Sequence, residues 1–324
     1  MKIRRYTQSW PIRGSFTIAR GSRTQVDVVI VELEGQGITG RGECVPYSRY
    51  GESVATVLAQ LEQVIPQLEA GLDRIDLQEL LPAGAARNAL DCAFWDWECK
   101  AAGMSIWQRL GLSPEPLVSA YTLSLDTPAK MELVAREHAA RPLLKLKLGG
   151  AGDLDRVAAV RRGAPKAKII LDANESWTPA LYQALVPELV KLGVTMIEQP
   201  LPAAEDAILA ELPHPIPLCA DESCHDRQSL PALIGRYEMI NIKTDKTGGL
   251  TEALALKHEA EQAGFEIMVG CMLATSLAMA PAFVVAQGGQ IVDLDGPLLL
   301  DIDRENGFEF TQQKMQVFQS GLWG

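Results

Sequence analysis

Charged residues recur at a nearly fixed interval through the second half of this 324-residue chain. Lys147, Asp172, Glu198, Asp221 and Lys246 are separated by 25, 26, 23 and 25 residues. Each lies at or close behind a short apolar, β-prone run: Leu143 to Leu148, Lys168 to Leu171, Val194 to Ile197, Ile216 to Ala220 and Met239 to Ile242. Helical patterns such as Leu181 to Leu192 fill the intervals. One such interval is the length of a strand plus a crossover helix, and strands joined that way pair in parallel through right-handed crossovers. Leu117 to Thr122, Glu266 to Val269 and Gln290 to Leu294 add three candidate strands, making eight units over roughly 180 residues. That predicts a closed (β/α) barrel rather than an open sheet. The C-terminal ends of barrel strands share one mouth, so charges far apart in sequence but in phase with the repeat meet there.

The first third follows a different grammar. Val26 to Leu33 and Ile38 to Cys44 read as strands of an antiparallel meander joined by a turn at Glu34 to Gly37. Ser53 to Leu68 reads as a helix, and from Ala85 the residues Leu90, Ala93, Phe94 and Trp97 form the buried face of another. Residues 1–112 therefore read as an α+β capping domain, with Ser113-Pro114-Glu115-Pro116 as the linker and 113–297 as the barrel. Asn306-Gly307 marks a turn and Phe308 to Phe310 a short β-like piece, so residues 298–324 are expected to leave the barrel and pack on the cap.

With 47% hydrophobic and 22% charged residues the chain can bury a full core. Its net charge of −11 argues against nucleic acid or anionic membrane partners. The six cysteines show neither a Cys-x-x-Cys pair nor zinc-ligand spacing and read as reduced, mostly buried thiols. No signal-peptide run follows Met1, and no apolar stretch approaches the roughly 18 residues of a membrane helix. A soluble cytoplasmic protein is expected, and homo-oligomerisation is left open.

The ladder carries the chemistry. In Leu-Leu-Lys-Leu-Lys-Leu, Lys145 and Lys147 share one face of the strand and the leucines the other, a pattern that alone would suit a solvated edge strand. Asp172, Glu198 and Asp221 could each cap a helix N-terminus, but three acids on consecutive strands would crowd like charge into one pocket unless a cation were bound. An all-oxygen site suits magnesium, with manganese as a substitute. Asn174, Gln199 and Glu222 are placed to orient those ligands. Lys147 and Lys246, from the second and sixth barrel strands, would face each other across the mouth. Two opposed bases can take a proton from one face of a carbon and return one to the other. Lys145 is better placed to steady negative charge. Gly248-Gly249 reads as a tight turn rather than a phosphate loop, and Asp293-Leu294-Asp295 as either a turn or a receptor for a substrate cation.

With Lys145-Leu146-Lys147, Asp172-Ala173-Asn174, Glu198-Gln199-Pro200, Ala220-Asp221-Glu222-Ser223 and Lys243-Thr244-Asp245-Lys246-Thr247-Gly248-Gly249 in hand, the chain resembles the enolase superfamily along essentially its whole length. Within its muconate-lactonising subgroup it is similar to the L-Ala-D/L-Glu dipeptide epimerases. Lysine bases working with magnesium are the known chemistry of that superfamily. The resemblance implies a (β/α)7β barrel with a capping domain. It further implies a substrate α-carboxylate held by magnesium on Asp172, Glu198 and Asp221, and Lys147 and Lys246 exchanging the α-proton through an enediolate steadied by the metal and Lys145. Asp293 and Asp295 match the Asp-x-Asp that holds the substrate ammonium. Thr17 to Arg23 resembles the specificity loop, with Arg23 ahead of Arg20 as the partner of a glutamate side chain, and Thr122 lines the pocket. Ala274 stands where many relatives carry an acid, which makes lactonising chemistry less secure by analogy.

The expected activity is epimerisation at the glutamate α-carbon of L-Ala-D-Glu, as murein peptide breakdown requires. The alternatives are an o-succinylbenzoate synthase or muconate cycloisomerase, whose substrates bring no ammonium to Asp293 and Asp295, and a carboxylate-binding protein without turnover.

Overall fold

The computed structural model describes residues 1–311 and 313–324. The chain opens with an antiparallel sheet in which β1 (Lys2–Ile18) pairs β2 (Gly21–Gly35) and β2 pairs β3 (Ile38–Cys44). The expected turn between β2 and β3 is present, with Gln36 and Gly37 at positive φ, which suits the twist of a tight hairpin. Two expectations change here. β1 is a strand that the sequence pattern does not announce, because most of its residues are exposed or half-buried and its alternation is weak. Residues Thr17 to Arg23, expected to be a loop, are instead the tip of the β1–β2 hairpin, with Thr17 opposite Ser22 and Phe16 opposite Arg23.

Helices α1 (Val54–Gln63), α2 (Ile65–Glu69), α3 (Asp76–Leu80), α4 (Ala85–Ala102) and α5 (Ile106–Leu110) complete the cap. Ser53 to Leu68 is thus two helices rather than one. Pro66 lacks the N–H that a continuous helix would need, and it sits in the first turn of α2, where that N–H is dispensable. α4 is buried on nearly every side over its first three turns. Ala89, Leu90, Ala93 and Phe94 pack on the sheet, while Cys92, Trp95 and Cys99 belong to the barrel-side core. Gly40 and Gly42 of β3 let α4 approach closely, since a Cβ at either would overlap the α4 backbone.

Eight parallel strands follow in sequence order: β4 (Tyr121–Leu123), β5 (Leu143–Lys147), β6 (Lys168–Asp172), β7 (Val194–Glu198), β8 (Leu218–Ala220), β9 (Met239–Ile242), β10 (Glu266–Gly270) and β11 (Ile291–Asp293). A parallel bridge between Ser119 and Val292, with Ala120 N donating to Val292 O at 2.7 Å, closes the ring. β4 starts later than the expected Leu117 because Leu117 pairs antiparallel with Met315 of the tail. Helices Pro128–Glu137, Asp153–Gly163, Pro179–Lys191, Leu250–Gln262 and Ser276–Ala286 cover the outside. β7 and β8 are joined instead through a 3-10 segment, Asp206–Glu211.

Strand alternation sorts the barrel. Leu144, Leu146 and Leu148 face the outer helices. Leu143, Ile170, Met196, Cys219, Met239 and Met268 fill the inside of the N-terminal half. Two residues on from each of these inward residues the next side chain also points in, near the C-terminal mouth. After the barrel, Phe310–Thr311 and Lys314–Met315 form a small hairpin, residue 312 lying outside the described residues. Trp323 Nε1 donates to Cys92 O at 3.1 Å and Gly324 N to Asp96 Oδ1 at 2.7 Å, so the tail meets α4. No helix among the described residues is long and apolar enough to cross a membrane.

Candidate active site

The inward alternation delivers the recurring charges to one place. Lys145 and Lys147 follow Leu143 on β5, Asp172 follows Ile170, Glu198 follows Met196 and Asp221 follows Cys219. Asp172 and Glu198 are register partners across β6 and β7, and Lys147 and Asp172 across β5 and β6. All five are buried. Lys147 Nζ lies 2.5 Å from Asp172 Oδ2, and Lys145 Nζ lies 3.2, 2.6 and 2.8 Å from Asp172 Oδ2, Glu198 Oε2 and Asp293 Oδ2.

A cavity of about 340 Å³ sits above them. Its floor includes Lys147, Asn174, Asp221, Glu222 and Lys243, and its wall Cys271 to Leu273. Its roof comes from the cap, through the β1–β2 hairpin with Arg20 and Arg23 and the segment Tyr47 to Tyr50. Arg20 is committed to the protein, donating to Asn174 O at 3.0 Å, Tyr47 Oη at 3.1 Å and Glu222 Oε1 at 2.8 Å. Arg23 is exposed and lines the cavity.

The structure moves one assignment. Lys246 does not line the cavity. It is fully buried, with its ammonium shared among Asp221 O at 2.6 Å, Asp221 Oδ1 at 2.6 Å and Asn241 O at 2.9 Å. β9 ends at Ile242, so the residue that emerges at the mouth is Lys243, while Lys246 lies a turn later in the short helix Thr244–Thr247 and points back beneath Asp221. Lys243 lines the cavity and holds Asp221 Oδ2 at 2.6 Å. The interval rule tolerates either lysine; the inward series Met239, Asn241, Lys243 is the signal that separates them.

Each carboxylate is turned onto an ammonium, and among the described residues no three His, Cys, Asp or Glu side chains converge as a metal-binding group. The donor set nevertheless fits a hard divalent cation: three buried carboxylates on consecutive strands, oxygen only. Buried acceptors around them also go unanswered. Among the described residues Glu222 Oε2 and Asn174 Oδ1 accept no hydrogen bond, and Glu198 Oε2 meets only the Lys145 ion pair, outside hydrogen-bond geometry. Electrostatics agree. Burial raises the Glu198 carboxyl, with Asp172 adding to the shift, to about 7. Burial acts in the same sense on Asp221, but Lys243 and Lys246 outweigh it and hold that group well below the usual range. Burial disfavours the Lys145 and Lys243 ammoniums, yet neighbouring carboxylates, Asp293 first for Lys145 and Asp221 first for Lys243, push both well above the ordinary lysine value. A lysine acting as a base near neutral pH needs its ammonium disfavoured, which here requires positive charge among these carboxylates.

Gln199 reaches the backbone around Asp221 from a left-handed conformation, φ 35°. Its Oε1 accepts from Asp221 N at 2.9 Å and Ser223 N at 3.1 Å. Asp293 and Asp295 stand beside Lys145 but do not line the cavity; Thr122 N donates to Asp295 Oδ2 at 2.6 Å. Thr122 thus holds the pair and does not line the cavity itself. Sequence reasoning missed Asn241, whose Nδ2 donates to Glu198 Oε1 at 2.7 Å, and Tyr50, whose ring packs on His225 above Asp221. Alternation along β9 would have found Asn241; nothing periodic marks Tyr50.

Known proteins resemble this chain in sequence and fold. The family described as "Mandelate racemase / muconate lactonizing enzyme, N-terminal domain" matches residues 1–111, and "Enolase C-terminal domain-like" matches 130–319. The chain is 49% identical to the L-Ala-D/L-Glu epimerase of Escherichia coli (strain K12), across 97% of this chain and 99% of that one. It is 44% identical to the N-acetyl-D-glutamate racemase of a Pseudoalteromonas species, across 92% and 95%. An enolase family member from Agrobacterium tumefaciens with homology to dipeptide epimerases, solved with sodium and L-Ala-L-Glu and an ordered loop, superimposes with a TM-score of 0.97 at 50% identity, covering 99% of each chain.

Proposed function

We infer, for a chain that belongs to the enolase superfamily through its mandelate racemase/muconate lactonizing enzyme domains, a dipeptide epimerase that interconverts L-Ala-D-Glu and L-Ala-L-Glu. The observation that carries this reading is that Lys147 and Lys243 line the same cavity from β5 and from the end of β9, on opposite sides of the ring. One lysine removes the α-proton of the glutamate residue and the other returns a proton to the opposite face, inverting the centre. As the proton leaves, negative charge moves onto the α-carboxylate, where the Lys145 ammonium steadies it.

Asp172, Glu198 and Asp221 would hold Mg2+, or Mn2+ in its place. Such a cation would supply a Lewis acid for the substrate carboxylate and offset the negative charge that favours the Lys243 ammonium. Arg23, at the roof, receives the glutamate side-chain carboxylate, and Asp293 with Asp295 receives the ammonium once turned from Lys145 and Thr122 N toward the cavity. Residues 1–112 act as the cap and 113–297 as the catalytic barrel, in a cytoplasmic enzyme of murein peptide degradation.

A second reading has one observation in its favour. Asp293 is already paired with Lys145 and Asp295 with Thr122 N, and neither faces the cavity. A ligand without an ammonium would leave few groups newly unpaired, so discrimination against it is modest. That makes N-acetyl-glutamate, the substrate type named for the Pseudoalteromonas relative, a slower alternative substrate. Incubation with L-Ala-D-Glu or N-acetyl-D-glutamate and Mg2+ in deuterium oxide, followed by NMR, tests both. Epimer formation with deuterium entry at the α-carbon is expected and faster for the dipeptide. No exchange with folded, metal-loaded protein would refute the epimerase; a faster N-acetyl substrate would reverse the order.

A further inference from the structure

The two lysines at the cavity are held in different ways. Lys147 lies inside β5, in register with Asp172 of β6. Lys243 lies beyond the last paired residue of β9, since that ladder ends with Ile242 opposite Val269. Its backbone is therefore fixed by the turn that follows, Thr244 to Gly249, and that turn is gripped by the cap.

The grip comes from one face of α4. Asn88 Nδ2 donates to Asp245 Oδ1 at 2.8 Å, and the same oxygen accepts Val45 N, from the cavity roof, at 3.0 Å. Cys92 Sγ occupies Asn88 Oδ1 at 3.3 Å, which leaves the amide nitrogen facing Asp245. On either side, Arg87 Nη2 donates to Thr247 O at 2.7 Å, and Asp91 Oδ2 accepts Thr251 N at 3.0 Å. Gly248 and Gly249 make this approach possible. Both have positive φ, and a Cβ on either would overlap Arg87 or Asp91. The Gly-Gly pair thus serves a protein contact rather than a phosphate. Arg87, Asn88, Asp91 and Asp245 are all buried, an arrangement costly to desolvate and weak as a source of stability.

We propose that Asn88 of the cap and Asp245 of the barrel are positioning residues that set Lys243, so that one of the two proton transfers is governed from outside the barrel while the other is governed by the strand carrying Lys147. The proposal rests on the epimerase reading. Disturbing the Asn88–Asp245 bond should misplace one base and spare the other. The substrate epimer that faces Lys147 would still lose its proton, exchange it with solvent and regain it on the same face, while inversion slows.

The experiment measures, for each epimer with saturating Mg2+ in deuterium oxide, the ratio of deuterium entry with retention to inversion. For one epimer, Asn88→Leu and Asp245→Leu should raise that ratio at least about tenfold, as expected when a reacting group shifts by a fraction of an ångström to an ångström. Asp245→Asn keeps the Oδ1 acceptor and should recover most of the change. Equal losses of exchange and inversion, with the ratio of the unaltered enzyme, would mean that the contact only supports folding and would overturn the proposal. Should the leucine variants fail to fold, Asn88→Gln displaces the same amide by one methylene; an unchanged ratio there overturns it equally. If the unaltered enzyme neither exchanges nor epimerises, the epimerase reading fails and this inference falls with it.

Discussion

Lys147 and Lys243 stand four strands apart on an eight-stranded ring and reach one cavity, each bonded to a different carboxylate: Asp172 at 2.5 Å and Asp221 at 2.6 Å. If each serves one face of the α-carbon, Lys147→Ala and Lys243→Ala should each lower epimerisation at least about 10²- to 10⁴-fold, the usual worth of a positioned base. Each variant should keep deuterium entry from the epimer that faces its remaining lysine. The measurement is NMR in deuterium oxide with each epimer alone. Full turnover in both variants would eliminate a two-base mechanism.

Lys246 should behave otherwise. Its ammonium is enclosed by Asp221 and Asn241 O and does not line the cavity, so Lys246→Met removes the partner of a buried charge. Such losses cost about 3–5 kcal/mol and, in a chain of this size, lower the melting temperature by roughly 4–7 °C. Exchange should fall alike from both epimers. A loss confined to one epimer, with stability unchanged, would restore Lys246 as a base.

The contrast between these lysines shows what a sequence can carry. The barrel strands were legible because apolar runs recur with the length of a βα unit, and the inward phase of each strand placed Lys145, Asp172, Glu198 and Asp221 together. Lys243 and Lys246 lie 22 and 25 residues after Asp221, and both fit that rhythm. The inward series Met239, Asn241, Lys243 separates them once β9 is known to end at Ile242, and strand ends depend on pairing with neighbours far away in sequence. β1 was hidden for a related reason: its half-exposed, polar residues are ordered by β2 rather than by their own pattern. Arg49 and Tyr50 reach the cavity because Glu175 holds Arg49 at 2.8 Å, a contact across 126 residues without local signature.

The raised Glu198 carboxyl makes metal stabilisation depend on pH. A carboxyl raised from 4.5 to about 7 on folding binds a proton more tightly in the folded state. Its contribution favours folding below 4.5 and is lost as pH climbs to about 7, roughly 3 kcal/mol in all. Asp245 and Asp295, also raised to about 7, act in the same sense but are not candidate ligands. Asp172 and Asp221 are lowered, so they stay ionised through this window. A cation must displace the Glu198 proton at pH 5 but not at pH 8. Saturating Mg2+ should therefore raise the melting temperature more at pH 8 than at pH 5, and Glu198→Gln should flatten that difference. Equal increments at both pH values would rule out Glu198 as a ligand.

Arg20 and Arg23 occupy the same hairpin tip but are not equivalent. Arg20 spans Asn174 O, Tyr47 and Glu222, a set that ties the hairpin to the barrel and leaves little of its guanidinium for a ligand. Arg23 faces the cavity. A charge-assisted hydrogen bond to the glutamate side chain is worth about 1.5–3 kcal/mol, or roughly 10- to 150-fold. Arg23→Ala should therefore raise KM for L-Ala-D-Glu by about that factor and narrow its preference over L-Ala-D-Gln. Arg20→Ala loosens the roof for either ligand, so both should weaken together with the preference kept. Steady-state kinetics on the two dipeptides decide between them. Were Arg20→Ala to abolish the preference while Arg23→Ala preserved it, the carboxylate would belong to Arg20, and the Glu222 contact would have to open whenever substrate enters.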